Sequence, residues 1–144
     1  MTDFDVRDGL PSVAVYQTIR AETGWPPFSD EIVWNALAGS QFGAVAVAGA
    51  DVIGFGRVTG DGATVFYIED LIVAKSHRGK GVGAAILEAL VRKIERLAPP
   101  GAMIALLAAE GTDGFYEALG FVRRPGPGYG PAMMRTVSRP VARH

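Results

Sequence analysis

The chain has 144 residues, enough for one domain with its own core, and apolar side chains make up 49% of it. Its 14 Lys and Arg residues against 15 Asp and Glu leave a formal charge of −1, which excludes the strong positive field that general nucleic-acid binding runs on. The absence of cysteine excludes disulfides, thiolate zinc sites and a cysteine nucleophile, and two histidines argue against a histidine-built metal site.

Residues 1–5 carry neither a basic nor an apolar targeting region, and no apolar run reaches the ~18 residues of a membrane span. The expectation is a cytoplasmic protein with no membrane partner. Residues 4–7 fit a short first strand. Residues 12–22 fit a helix, with Val13, Tyr16, Gln17 and Arg20 at helical spacing and Thr23-Gly24 as its stop. Trp25-Pro26-Pro27-Phe28 is an aromatic loop stiffened by proline. Ser29 can cap a second helix, with Asp30 and Glu31 favourable in its first turn. Ile32, Val33, Leu37 and Trp34 supply its apolar side, and Gly39 ends it.

The period then changes. Residues 42–48, 52–59 and 63–73 are apolar or β-branched runs separated by the short turns Gly49-Ala50-Asp51 and Gly60-Asp61-Gly62, which predicts an antiparallel meander. Gly54 and Gly56 interrupt the middle strand and point to a bulge or a closely packed partner.

Next comes His77-Arg78-Gly79-Lys80-Gly81-Val82-Gly83, a loop that opens a helix. Its three glycines let the backbone approach a ligand, and the helix beyond it starts with unpaired N–H groups and partial positive charge. With Arg78 and Lys80 beside them, these features suit a pyrophosphate. A Walker loop is excluded, because Gly81-Val82 stands where Ser or Thr should follow the lysine. Gly79, Gly81 and Ala84 satisfy the dinucleotide pattern G-x-G-x-x-G/A. The acid that pattern needs about 20 residues on is replaced by Pro99-Pro100.

Residues 81–97 fit the helix, with Ile86, Leu90, Ile94 and Leu97 on one stripe and Glu88 paired with Arg92 on the wet side. Residues 102–108 read as a strand buried on both faces, reached by a parallel crossover. Thr112 or Asp113 can cap a last helix ending at Gly120. Short strands are expected at 121–124 and 132–137, around a glycine-proline loop. Strands come first and one crossover comes after them, unlike a doubly wound sheet that alternates strand and helix from the start.

This order resembles the GNAT superfamily of acyl-CoA-dependent N-acetyltransferases. Arg78-Gly79-Lys80-Gly81-Val82-Gly83 matches that family's Q/R-x-x-G-x-G/A pyrophosphate motif. Gly114-Phe115-Tyr116-Glu117-Ala118-Leu119-Gly120-Phe121 resembles its F/L-Y-x-x-x-G-F signature, and Tyr67-Ile68-Glu69-Asp70-Leu71-Ile72-Val73 resembles its fourth strand. The resemblance covers residues 4–137. It implies a single α/β domain over 1–144, built on a mixed, mostly antiparallel sheet of about seven strands, splayed between strands four and five and flanked by about four helices.

Acetyl-CoA is the implied co-substrate. Arg78, Gly79, Lys80, Gly81, Val82, Gly83 and Ala84 would hold its pyrophosphate, and the backbone of Leu71, Ile72 and Val73 would pair with the pantetheine amides. An N–H near Leu71 or Ile72 would meet the thioester oxygen. Tyr116 is the candidate general acid for the leaving thiolate, its rival role being to pack the last helix with its hydroxyl on a backbone group. Glu69 is the candidate base. Asp70 is the adjacent acid, and strand alternation lets only one of the two face the acceptor. Glu22 is a rival base, and a water chain is a third route. Trp25, Phe28 and Trp34 line the implied acceptor region or pack in the core, and Tyr129 would close it from the other side.

Relatives often carry Asn seven residues before the Tyr, where this chain has Ala109, so a contact to pantetheine or water is lost or supplied by Glu110 or Thr112. The acceptor is expected to be a small-molecule or peptide amine. A homodimer is compatible with such a domain, although no residue fixes an interface. A non-catalytic acyl-CoA sensor and a dinucleotide-binding oxidoreductase are the alternative classes.

Overall fold

Serine caps set the first two helices, and turns of two to four residues set the strands. In a computed structural model that describes residues 3–138, the chain divides into two units, Met1–Leu107 and Ala108–His144. The first begins with β1 (Asp5–Asp8) and α1 (Val13–Arg20), which runs into a 3₁₀ turn (Ala21–Thr23). It continues through α2 (Asp30–Ala38), β2 (Phe42–Ala48), β3 (Asp51–Gly60) and β4 (Val65–Val73). A second 3₁₀ turn (Lys75–His77), α3 (Val82–Leu97) and β5 (Met103–Ala105) complete it. Ser12 Oγ accepts from the Val15 N–H at 3.1 Å and Ser29 Oγ from the Ile32 N–H at 3.3 Å, so each satisfies one amide of a first turn.

The strands lie in chain order, β1-β2-β3-β4-β5, antiparallel through β4 and parallel from β4 to β5. The meander and the crossover are those that the turn lengths predict. On one face α3 buries Val82, Ile86, Leu87, Leu90 and Ile94 against β3 and β4. The two glycines of β3 permit this approach. A Cβ on Gly54 would stand 3.1 Å from Ile86 Cδ1, and one on Gly56 3.0 Å from Leu90 Cδ1. On the other face Tyr16 and Ile19 of α1 and Val33 and Leu37 of α2 cluster with Val45, Phe55 and Ile72. The Tyr16 ring stacks on Phe55 with centroids 5.3 Å apart. Each large side chain buried in these layers is worth about 1.5–3 kcal/mol.

One irregularity interrupts the β3–β4 ladder. Arg57 pairs with Glu69 and Phe55 with Ile72, so Asp70 and Leu71 together oppose Gly56. This is a β-bulge in β4, and Asp70 is its left-handed residue, at φ 54°. Near the bulge β4 also loses its ladder on the other side. The β4–β5 pairing runs only from Val65↔Met103 to Tyr67↔Ala105. Residues 68–73 of β4 therefore have no strand on that side among the described residues, which is the expected splay.

Several expectations need correction. The strand expected at 102–108 is three residues long, and Met103 is exposed. Ile32, Trp34 and Leu97 are exposed. In α2 the i, i+4 pair Val33 and Leu37 alone faces inward, and the neighbours on either side turn away from it. No helix among the described residues is long and apolar enough to cross a membrane.

The second unit contains α4 (Asp113–Ala118) and no ladder. The described residues thus hold five strands rather than about seven, because 121–124 and 132–137 do not pair. Side chains and prolines take over instead. Arg123 bridges back to Asp113 at 2.7 Å and Glu117 at 2.8 Å. Arg124 Nε donates to the Gly130 carbonyl at 2.8 Å, with its guanidinium over the Tyr129 ring. Pro125, Pro127 and Pro131 have no N–H to give a ladder, and one isolated bridge, Gly126↔Tyr129, remains.

Candidate active site

The loop ahead of α3 owes its shape to glycine. Gly79 and Gly81 stand at φ 75° and 81°, and a Cβ on either would meet nothing within 4 Å. Their left-handed backbone follows the extended Arg78, and the space where a side chain would stand is open at both. Gly81 is the N-cap of α3 and supplies no side-chain cap, so the first-turn amides of Val82, Gly83 and Ala84 keep their donors and the helix keeps its partial positive end. Arg78 and Lys80 flank them on the surface. Arg78 Nε donates to the Val73 carbonyl at 2.9 Å, which pins the guanidinium across the end of β4. This combination fits a diphosphate joined to an extended, amide-bearing arm along the unpaired edge of β4 that contains Leu71, Ile72 and Val73.

The bulge gathers charge on the α1 side of the same strand. Asp70 is 3% exposed at its side chain and accepts from three partners. Tyr16 Oη donates to Oδ2 at 2.7 Å, Arg57 Nε to Oδ2 at 2.8 Å and Arg20 Nη1 to Oδ1 at 3.1 Å. Burying these ions costs several kcal/mol each, offset only because both guanidiniums and the phenol converge on one carboxylate. Burial and the hydrogen bond to Asp70 push the Tyr16 phenol up to about 12.

Glu69 shares that face. It is the ladder partner of Arg57, and cross-strand partners project to the same side. Adjacent residues 69 and 70 therefore do not point to opposite faces as strand alternation requires, because the bulge inserts half a period between them. Glu69 is half-buried and makes no ion pair among the described residues. Burial raises its carboxyl above the usual range. The charge of Asp70 adds to this, and Arg57 and Arg20 act in the opposite direction. Tyr67, two residues earlier, faces the same way, and burial and the Glu69 charge raise its phenol.

The remaining candidate residues spread over both units. Glu22 Oε1 accepts from the Lys75 N–H at 3.1 Å, which ties the end of α1 to the turn after β4. Trp25 and Phe28 lie over the Arg20 guanidinium at 5.3 and 5.0 Å, each with an exposed part, and Arg20 Nη2 donates to the Pro26 carbonyl at 3.1 Å. The aromatic loop is thus folded onto the arginine that holds Asp70. Trp34 is on the exposed side of α2. In the second unit, Tyr116 packs edge-on against Phe115 and Phe121 at 5.0 and 5.9 Å, and burial raises its phenol. Tyr129 is exposed there beneath Arg124.

The sequence pattern alone assigns no role to Tyr16, Arg20 or Arg57. Two signals were available. Tyr16 and Arg20 stand i, i+4 on one helix face, and Arg57 is the only charge in the otherwise uncharged stretch 52–59.

The model of the GNAT acetyltransferase domain matches residues 31–123. A protein of Oryza sativa subsp. japonica named serotonin N-acetyltransferase 2, chloroplastic, is 32% identical over 129 residues, which is 86% of this chain and 63% of the relative. An Arabidopsis thaliana protein named GCN5-related N-acetyltransferase 1, chloroplastic, is 40% identical over 74 residues, 51% of this chain and 36% of the relative. The chain thus spans less than two thirds of the length of these curated relatives. A solved structure from meticillin-resistant Staphylococcus aureus, named a "probable acetyltransferase" of unknown function, superimposes with a TM-score of 0.81 at 28% identity, over 92% of this chain and 99% of the other. A GNAT-family acetyltransferase of Streptococcus pneumoniae shares the fold, with a TM-score of 0.78 at 22% identity over 95% and 99%.

Proposed function

The chain belongs to the GNAT acetyltransferase family, and from that premise we propose that it moves an acetyl group from acetyl-CoA to a primary amine by direct attack in a ternary complex. The observation that carries this reading is the pair of left-handed glycines opening an uncapped helix beside the unpaired edge of β4. Acetyl-CoA supplies the activated thioester carbonyl and a thiolate leaving group. Residues 78–84 hold its diphosphate through backbone amides and the charges of Arg78 and Lys80. Leu71 and Val73 turn backbone N–H and C=O groups to this open edge, where they align the arm, while those of the intervening Ile72 bond β3; an N–H of this edge faces the developing oxyanion.

Glu69 takes a proton from the incoming ammonium and frees its lone pair for attack. A carboxyl raised by burial does this better than one of ordinary strength, because it binds the proton more tightly near neutral pH. The C–N bond forms and the C–S bond breaks. The amine nitrogen sheds its second proton to solvent, and the Tyr116 phenol gives its proton to the departing thiolate, to be reprotonated from water. The product is a neutral amide and a free thiol. Trp25 and Phe28 present exposed aromatic surface next to Arg20, and the rice relative is named for serotonin, an alkylamine carried on an indole ring. Primary alkylamines bearing an aromatic ring therefore head the acceptor panel.

Calorimetric titration with acetyl-CoA and a thiol-release assay over these ring-bearing alkylamines, polyamines and peptide N-termini test the reading. Saturable acetyl-CoA binding and amine-dependent thiol release, both absent with NAD(P), are expected. No acetyl-CoA binding at millimolar concentration removes it.

A further inference from the structure

Two carboxylates and two guanidiniums share one face of the sheet, yet they do not pair one to one. Arg57 stands directly across the ladder from Glu69, and its Nε is given to Asp70 at 2.8 Å, with Nη1 toward Ser40 Oγ at 3.4 Å. Arg20, from α1, also goes to Asp70. Both are held there by packing, at 11% and 14% side-chain exposure for Arg20 and Arg57, and Trp25 and Phe28 cover Arg20 from outside. Glu69 ends without an ion pair among the described residues, on the same face and next in the chain.

We propose that Asp70 is a positioning residue for the reaction: by holding Arg57 and Arg20 on its own buried carboxylate, it keeps the neighbouring Glu69 free of an ion pair and available to take a proton. The left-handed bulge makes this possible. On a regular strand Asp70 would point to the α3 side, and Arg57 would be left facing Glu69 alone. An arginine on Glu69 would stabilise its charged form and weaken it as a base. The charged and titratable groups acting on Glu69 are Tyr67 and Asp70 on β4, Arg57 on β3 and Arg20 on α1, whose Tyr16 hydroxyl is directed to Asp70. Met103, Ile104 and Ala105 of β5 carry no charge. The raised Glu69 carboxyl agrees with this arrangement.

The proposal rests on Glu69 being the base, and the test separates the two. The acidic limb of the kcat pH profile is measured for the intact protein and for variants, alongside carbon-13 NMR titration of the Glu69 carboxyl, which does not depend on turnover. Asp70→Asn removes a negative neighbour and releases Arg57 toward Glu69, so limb and NMR midpoint should both fall by about one pH unit or more. Arg57→Gln removes a positive neighbour, so both should rise. Arg57→Lys should leave them nearly in place. A general loss of structure would lower activity in each variant without opposite displacements. Should Asp70→Asn fail to fold, Arg57→Gln against Arg57→Lys decides. Equal midpoints in the two, or a shift of the same sign for Asp70→Asn and Arg57→Gln, overturns the proposal. Glu69→Gln is the separate control: a surviving limb retires Glu69 as base, and the NMR midpoints still judge whether Asp70 governs its charge.

Discussion

The loop after β4 and the bulge within it lie a few residues apart, and they are built from opposite materials. The loop is backbone: left-handed Gly79 and Gly81, an uncapped helix start and open space around both glycines. The bulge is side chain: Asp70 closed in by Tyr16, Arg20 and Arg57, with 3% of its side chain exposed. A site made of amides can stay open and wait for an anion, since unpaired N–H groups at a surface are solvated by water. A buried charge cannot wait. It must be satisfied within the fold or the fold gives way. The bulge should therefore carry stability and the loop should carry ligand affinity.

The heaviest blow to that division is Asp70→Ala. It leaves two buried guanidiniums with no shared carboxylate, and removing one member of a buried pair costs about 3–5 kcal/mol. Urea unfolding should show a loss of that size. A loss below about 1 kcal/mol would mean that the cluster relaxes into water and the comparison with the loop collapses.

Tyr16→Phe comes next, at about 1.5–3 kcal/mol for a hydrogen bond to a charged acceptor. It also has a pH signature. The phenol is raised from 10.0 to about 12 in the folded chain, so the native state keeps a proton that the unfolded state releases. Its contribution is complete below pH 10 and is lost as pH climbs from 10 to about 12. Stability against pH should slope downward over that window in the parent protein, and the slope should flatten in Tyr16→Phe.

Gly56→Val probes the far side of the same bulge. Its Cβ would lie 3.0 Å from Leu90 Cδ1 and 3.3 Å from Ile86 Cγ2 and Leu71 Cδ1, so these packed side chains must give way. Overpacking of this kind costs about 1–3 kcal/mol, read as a lower midpoint in urea at unchanged slope.

The same contrast decides what the sequence displays. The glycine-basic run at 78–84 is contiguous, so loop, helix start and anion site can all be read from one string of letters. The meander is legible for a similar reason, since its turns are local. The bulge cluster draws one carboxylate from β4, one guanidinium from β3, and a phenol and a guanidinium from α1. No local pattern joins residues 16, 20, 57 and 70, and the half-period slip that turns Glu69 and Asp70 to one face is invisible to an alternation rule. The C-terminal strands fail differently. Phe121-Val122-Arg123-Arg124 has strand composition, but Arg123 is drawn to Asp113 and Glu117 and the prolines beyond it withhold donors. Propensity describes a fit to a ladder, and it does not supply the partner.

Gly81→Val has the smallest effect on folding and the largest on binding, and so sharpens the division most. No atom lies within 4 Å of the new Cβ, so nothing clashes. The cost is conformational: a β-branched residue held at φ 81° pays about 1–2 kcal/mol for the left-handed region. The backbone can avoid that strain by rotating Gly81 out of it, which re-aims the N-cap and scatters the first-turn amides of α3. Either way the side chain enters the space in front of those amides. Acetyl-CoA affinity per folded molecule should drop tenfold or more, while the urea midpoint falls by no more than that strain of about 1–2 kcal/mol accounts for. Asp70→Ala should do the reverse, with acetyl-CoA affinity per folded molecule nearly kept. If Gly81→Val instead binds acetyl-CoA as the parent does, the open space before α3 is not where the diphosphate sits, and the loop loses the role its shape suggests.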